Sequence, residues 1–295
     1  MKHERIAKIK MTAAMVIFGT LAPFVRAVGV GSGELALYRA VMATVLVGGF
    51  LLVTRQRIPL GGIKKELLLL LLSGAAMGAN WILLFEAYKY TTVSVATLSY
   101  YFAPVLVMVA CPLLFKEKLS GKQILCFVMA TAGLVLITGT AGSGSQDLLG
   151  IALGLGAALL YATVMLLNKL IKGVEGLHRT LIQFLAATVT LIPYVCLTGG
   201  LSLGSLDGIG WGALLCVGIL HTGIAYCLYF SALKDLPGQK VALLSYIDPL
   251  VAVVVSITWL REETSLPQIV GGLLILGFTL WSELPSRPPK QKENR

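Results

Sequence analysis

The residues Val95-Ala96-Thr97-Leu98-Ser99-Tyr100 return as Val241-Ala242-Leu243-Leu244-Ser245-Tyr246, identical at five of six positions. Pro104 and Pro249 follow the two copies. Thirteen residues past each proline stands a glutamate preceded by a basic residue, Lys116-Glu117 and Arg261-Glu262. Six residues further on comes a Gln-Ile pair, Gln123-Ile124 and Gln268-Ile269. Upstream, Phe85-x-Ala87-x-Lys89 matches Phe230-x-Ala232-x-Lys234. Matches at a nearly constant offset over about forty residues mark a duplicated module. The first spans of the two halves agree as well, Phe18-x-Thr20 with Tyr161-x-Thr163, and so do the second, Ala43-Thr44-Val45 with Ala187-Thr188-Val189.

The chain is 57% hydrophobic and 13% charged, against about 25% charged in soluble domains. That balance calls for lipid as the solvent. A hydrocarbon core of about 30 Å needs roughly 20 apolar residues per helix. Ten spans are predicted: 10–28, 35–54, 67–88, 93–115 and 123–139, then 148–170, 179–198, 209–233, 238–260 and 268–284. Residues 1–139 form the first half and 148–284 the second. Between them lies a Gly/Ser-rich linker, 140–147, and a polar, Pro-rich basic tail, 285–295, ends the chain. Five spans is an odd number, so the second half enters from the opposite side. The predicted fold is an all-α integral membrane protein of ten transmembrane helices. They form a 5+5 inverted-topology repeat around a central cavity, the build of secondary transporters.

The net charge of +10 does not point to nucleic acid, because Lys and Arg lie in short loops and at both ends. With the N-terminus inside, 20 of the 24 basic residues fall on the cytoplasmic side, so both termini are expected there. The N-terminal basic residues precede an apolar run that is long and lacks a small-x-small cleavage site. It reads as an uncleaved first span. The five cysteines sit in apolar segments without CxxC or His-rich spacing, so neither a disulfide framework nor a metal site is indicated. No P-loop, nucleophile elbow, dinucleotide motif or HExxH occurs; no cofactor is expected, energy must come from gradients, and the chain does not read as an enzyme.

The paired five-span halves, the Tyr38-Arg39 step, Phe85-x-Ala87, the Ser-Tyr…Pro stretches and the positions of Glu117 and Glu262 resemble the drug/metabolite transporter superfamily, in its two-domain EamA-type branch. The resemblance covers all but the tail. It implies a prokaryotic cell-membrane transporter that moves a small metabolite, with export of an amino acid as the leading expectation. Alternatives are an importer of a small cationic amine and, from another class, a channel or sensor. The implied partners are the solute, protons as a candidate coupling ion, and membrane lipids. A monomer is expected, with a dimer as the alternative.

Where the copies differ, an asymmetric solute can be read. Asp248 aligns with Ala103, His221 with Ala76, Asn80 with Ala225, Glu86 with Ser231 and Arg39 with Gln183. His221 falls near the middle of span 209–233, where a polar group should face the bundle interior; it and Asp248, just before Pro249, are candidate solute or proton sites. Trp81 shares a helical face with Phe85 and Tyr88. With Asn80, Tyr100, Tyr101 and Tyr246, Trp81 is a candidate for the cavity wall, the tyrosines offering a ring face and a hydroxyl. Glu86 and Arg39 are expected to pair across the outer mouth. Glu117 and Glu262 read as boundary capping and pairing groups, and Tyr88, Tyr90 and Tyr194 as interfacial residues. The pairs Gly74/Gly78, Gly150/Gly154 and Gly208/Gly212 suit close helix packing.

Overall fold

The structure, a computed structural model, describes residues 2–55, 60–116, 120–139, 145–174, 176–233, 235–236 and 238–284. Glu117, most of the expected linker and the basic tail lie outside the described residues. Those described are helical, with no strand among them. Eight helical spans are long and apolar enough to cross a membrane, and two shorter apolar helices follow them near the C-terminus.

Three of the predicted spans are broken. The first divides at Thr20 into α1 (Lys2–Gly19) and α2 (Leu21–Val28). After α3 (Ser32–Val53) and α4 (Leu60–Tyr90), the next divides at Tyr101-Phe102 into α5 (Val93–Tyr100) and α6 (Ala103–Phe115). α7 (Gly121–Gly139), α8 (Ser145–Leu170) and α9 (Gly176–Thr198) are continuous. α10 (Gly208–Leu215) runs through a π-helical stretch, Cys216–Ile224, into α11 (Ala225–Leu233). The last break, at Tyr246, separates α12 (Gly238–Ser245) from α13 (Ile247–Thr258), and α14 (Leu266–Glu283) ends the fold. Each break lies just before a proline, Pro23, Pro104 or Pro249. A proline cannot bond the carbonyl four residues back and its ring clashes there, at Gly19, Tyr100 and Ser245, the last residues of the preceding helices, whereas in a first turn its missing N–H costs nothing. The expected linker is shorter than the sequence suggests: Ser145–Asp147 already belong to α8, with Asp147 in the first turn, where the helix dipole favours a carboxylate.

Val53, Leu113 and Leu197 are each 80% or more exposed, a surface made for lipid rather than water. Inside, small residues bring backbones together. Gly74 and Gly78 face Gln183 and Leu191 of α9, and Gly133 of α7 and Gly271 of α14 rest on each other's carbonyls. Gly150 and Gly154 of α8 rest on Thr91 and Ser99 beside and within α5, whereas a Cβ at Gly208 or Gly212 would meet no neighbour within 4 Å among the described residues.

These contacts also fix direction. α3 and α9 are antiparallel, since Gly33 meets Tyr194 while Gly48 meets Leu181. α7 and α14 are antiparallel too. Lys122, at the start of α7, donates to the Leu284 carbonyl just past the end of α14, and its ammonium lies 5.2 Å from the Trp281 ring. Lys116 and Arg261, matched by the repeat, both adopt left-handed backbone, with φ of 56° and 52°.

The first span joins the other half at both ends. At one end Lys240 pairs with Glu4, and Lys10 donates to Ser231 over 2.8 Å. At the other, Arg26 Nη1 meets Glu262 Oε1 at 2.5 Å. A cavity lies between.

Candidate substrate site

The cavity, about 470 Å³, opens where the three broken spans meet. The breaks place Gly19 and Leu21, Tyr101 and Pro104, and Tyr246 and Asp248 on its wall. Interrupted helix is tolerated at membrane depth where it borders such a space. α4 contributes Asn80, Trp81 and Tyr88, α8 Tyr161, α11 Tyr226 and Tyr229, and α3 Arg39. Seven of the chain's ten tyrosines line this one cavity. Their rings brace one another: Tyr100 stacks on Tyr161 at 5.2 Å and meets Tyr101 edge-on at 5.6 Å. The result is a stiff wall that offers ring faces and hydroxyls.

The wall carries two charged side chains, and they are anchored separately. Asp248 Oδ2 accepts a 2.5 Å bond from the Tyr101 hydroxyl. It sits in the first turn of α13, where the helix dipole favours a negative group. The Arg39 guanidinium lies over Trp81, 4.6 Å from the ring centroid, and 5.8 Å from that of Phe85. Arg39 is buried, and its Nε has no hydrogen-bond partner.

Asn80, Trp81, Tyr100, Tyr101, Tyr246 and Asp248, named from the sequence, thus meet at one cavity. Asn80 Nδ2 also donates to the Ala157 carbonyl over 2.6 Å, tying α4 to α8.

His221 is not on the wall. It is fully buried one layer back, its ring tilted against Phe24 with centroids 4.9 Å apart. Its Nδ1 lies 3.1 Å from the Cys216 carbonyl and its Nε2 3.2 Å from Thr20 Oγ1. The π-helical stretch accounts for this. An i→i+5 turn rotates the following side chains, and the ring satisfies the carbonyl five residues before it. A carbonyl only accepts, so Nδ1 carries the hydrogen there.

The expected Glu86–Arg39 pair is also corrected. Glu86 accepts from Ser32 at 2.6 Å and from Lys89 at 2.9 Å. It borders a second hollow together with Glu34. Trp81 and Phe85, four residues apart, form the face that receives Arg39, and Glu86, one residue on, points elsewhere. At the end where that pair was expected, the ion pair that bridges the halves is Arg26–Glu262. Arg26 also donates to the carbonyls of Tyr88 (2.8 Å) and Thr91 (3.0 Å). Glu262 accepts from the Val93 N–H at 2.9 Å and from the Ser256 hydroxyl, so it caps α5 as well as pairing.

Sequence reasoning missed Tyr161, Tyr226 and Tyr229 and assigned Tyr88 to the interface. The repeat held the signal: Tyr161 aligns with Phe18, Tyr226 with Trp81 and Tyr229 with Leu84, and all three partners line the same cavity.

A helical membrane bundle whose interrupted spans converge on a largely apolar cavity with a few placed polar groups has the build of solute transporters. The profile of the EamA-like transporter family matches the chain twice, at residues 6–139 and 148–282, and the chain belongs to that family. It is a multi-pass membrane protein. The uncharacterized transporter YxxF of Bacillus subtilis (strain 168) is 31% identical over 277 residues, covering 93% of this chain and 88% of its own. An uncharacterized transporter of Archaeoglobus fulgidus is 27% identical, covering 95% and 97%. The uncharacterized inner membrane transporter YhbE of Escherichia coli (strain K12) is 24% identical, covering 86% and 83%. A solved crystal structure shares the fold with a TM-score of 0.67 at 17% identity, covering 94% of this chain and 96% of its own.

Proposed function

We infer that the chain is a secondary active transporter of the cell membrane that carries a small polar or amphipathic metabolite by alternating access. An amino acid or a related metabolite moved outward, with protons coupled through Asp248, is the reading we favour. The carrying observation is the cavity itself, a space of metabolite size with one guanidinium and one carboxylate on a tyrosine wall. It is bracketed at both ends by polar contacts between the first span and the second half. In this reading the two family copies are five-span units of opposite orientation in a ten-span fold, with both termini cytoplasmic. The antiparallel packing of the matched pairs α3/α9 and α7/α14 supports the inversion. Rocking of one unit against the other would then open one bracket while the other stays shut. The molecule acts as a monomer, in contact with lipid and solute.

Proteoliposomes loaded with candidate solutes test this. Saturable flux with counterflow is expected; flux that rises without saturation would make the protein a channel. Import of a small cationic amine is the second reading. The tyrosine wall favours it, because ring faces attract cations; the positive charge of Arg39 in the same cavity opposes it.

A further inference from the structure

Arg39 is 5% exposed and lines the cavity. Among the described residues, no carboxylate lies within ion-pair distance of its guanidinium and no hydrogen bond leaves it. Trp81 and Phe85 offer it ring faces, which attract the charge but do not use the N–H donors. The acid in the same cavity, Asp248, is already held by Tyr101. A buried charge with unfilled donors is costly unless something completes it. The transported solute can supply an acceptor there.

We propose that Arg39 is the docking point for a carboxylate of the solute, and that Asp248 receives its cationic group. This rests on the transporter reading above. A guanidinium presents a planar fork of donors that matches a carboxylate two bonds at a time. Among the described residues no other Lys or Arg lines the cavity, so a phosphate dianion would leave charge uncompensated. With Arg39 and Asp248 both charged, the empty cavity is neutral, and a solute with one charge of each sign keeps it so. The hydrocarbon body of the solute would lie along the tyrosine rings.

Trp81 lies beneath the guanidinium, so its fluorescence reports what reaches Arg39. Replacing Trp211, Trp259 and Trp281 with Phe leaves it as the only tryptophan. Purified full-length protein is titrated with leucine, 4-methylpentanoate and 3-methylbutylamine, which share one branched hydrocarbon body and differ only at their ends. Leucine and 4-methylpentanoate are expected to shift Trp81 emission saturably, and the amine to need roughly tenfold to a hundredfold more, the scale of a charge-assisted bond. Arg39→Gln should erase the carboxylate preference. Arg39→Lys, which keeps the charge without the fork, should keep the preference with weaker binding, and it decides the matter if Arg39→Gln does not fold. An amine that binds as tightly as the acids, no saturable response to either acid, or an unchanged preference in Arg39→Gln overturns the docking point. Counterflow measured separately keeps the two readings apart. Binding without flux sinks the carrier and spares the docking point, whereas flux that prefers the amine does the reverse.

Discussion

Arg39 and Gln183 occupy matched positions in the two halves, on α3 and α9, and have opposite surroundings. Gln183 is satisfied: its Nε2 donates to Ser73 at 2.6 Å and to Asn168 at 2.7 Å, inside the packing. Arg39 is left open toward the cavity. Ala103 and Asp248 repeat the contrast. Both stand at the start of the helix after a break, one an alanine and the other a carboxylate held by a tyrosine. The breaks before Pro104 and Pro249 and the paired rings recur in both copies, whereas the break before Pro23 has no counterpart in the continuous α8. The cavity's polarity lies where the copies have parted.

Making the halves alike is the most direct way to break this contrast. Arg39→Gln places the residue of the second half in the first. Saturable counterflow per folded molecule is expected to fall roughly a hundredfold, as when a charge-assisted contact is lost from a buried site. Full flux in this variant would mean that Arg39 is scaffold after all.

Asp248→Ala, which copies Ala103, is expected to cost about tenfold in flux, because it also strands the Tyr101 hydroxyl. Asp248→Asn keeps an acceptor for Tyr101 and removes only the charge. The pH change inside proteoliposomes on solute addition should vanish in both variants. If it persists in Asp248→Asn, protons take another route.

His221 sharpens the point because it differs between halves and yet misses the cavity. His221→Ala removes bonds to the Cys216 carbonyl and Thr20. It should lower stability by about 1–3 kcal/mol, read as a lower melting temperature, and leave pH-linked flux intact. Loss of that coupling in a folded variant would return His221 to the transport path. Difference between the copies is therefore not sufficient; the side chain must also point inward.

This separates what the sequence carried from what it withheld. Eight long apolar spans and two shorter apolar helices were legible because the bilayer sets the length of an apolar run. Six wall residues were legible because prolines and aromatic spacing mark where helices break and which face turns inward. Depth along a helix follows from counting residues; azimuth does not once the turn changes, and the π-helical stretch turned His221 away. The direction of Arg39 depended on which face of α4 it met, a tertiary fact. Glu262 showed its boundary role by its place beside Arg261, but its partner Arg26 lies in the other half, where no local pattern points to it.

The smallest effect is expected at the Arg26–Glu262 contact, and it tests whether that end is held by charge or by capping. Arg26 is about a third exposed, so the ion pair itself is worth at most about 1 kcal/mol. Glu262→Gln loses the charge but retains an oxygen for the Val93 N–H and Ser256. It should raise opening of that end by about fivefold or less. Glu262→Ala also leaves the Val93 N–H without its acceptor, with Thr92 still capping the Val95 N–H, and α5 carries Thr97 and Tyr100 on the cavity wall, so a larger increase is expected. The readout is the alkylation rate of Ala252→Cys, a wall position, in a variant whose native cysteines are replaced by alanine. Equal rates in both glutamate variants would place the restraint in the ion pair alone. Unchanged rates in both would show that this end of the cavity is shut by packing, with the charges only decorating it.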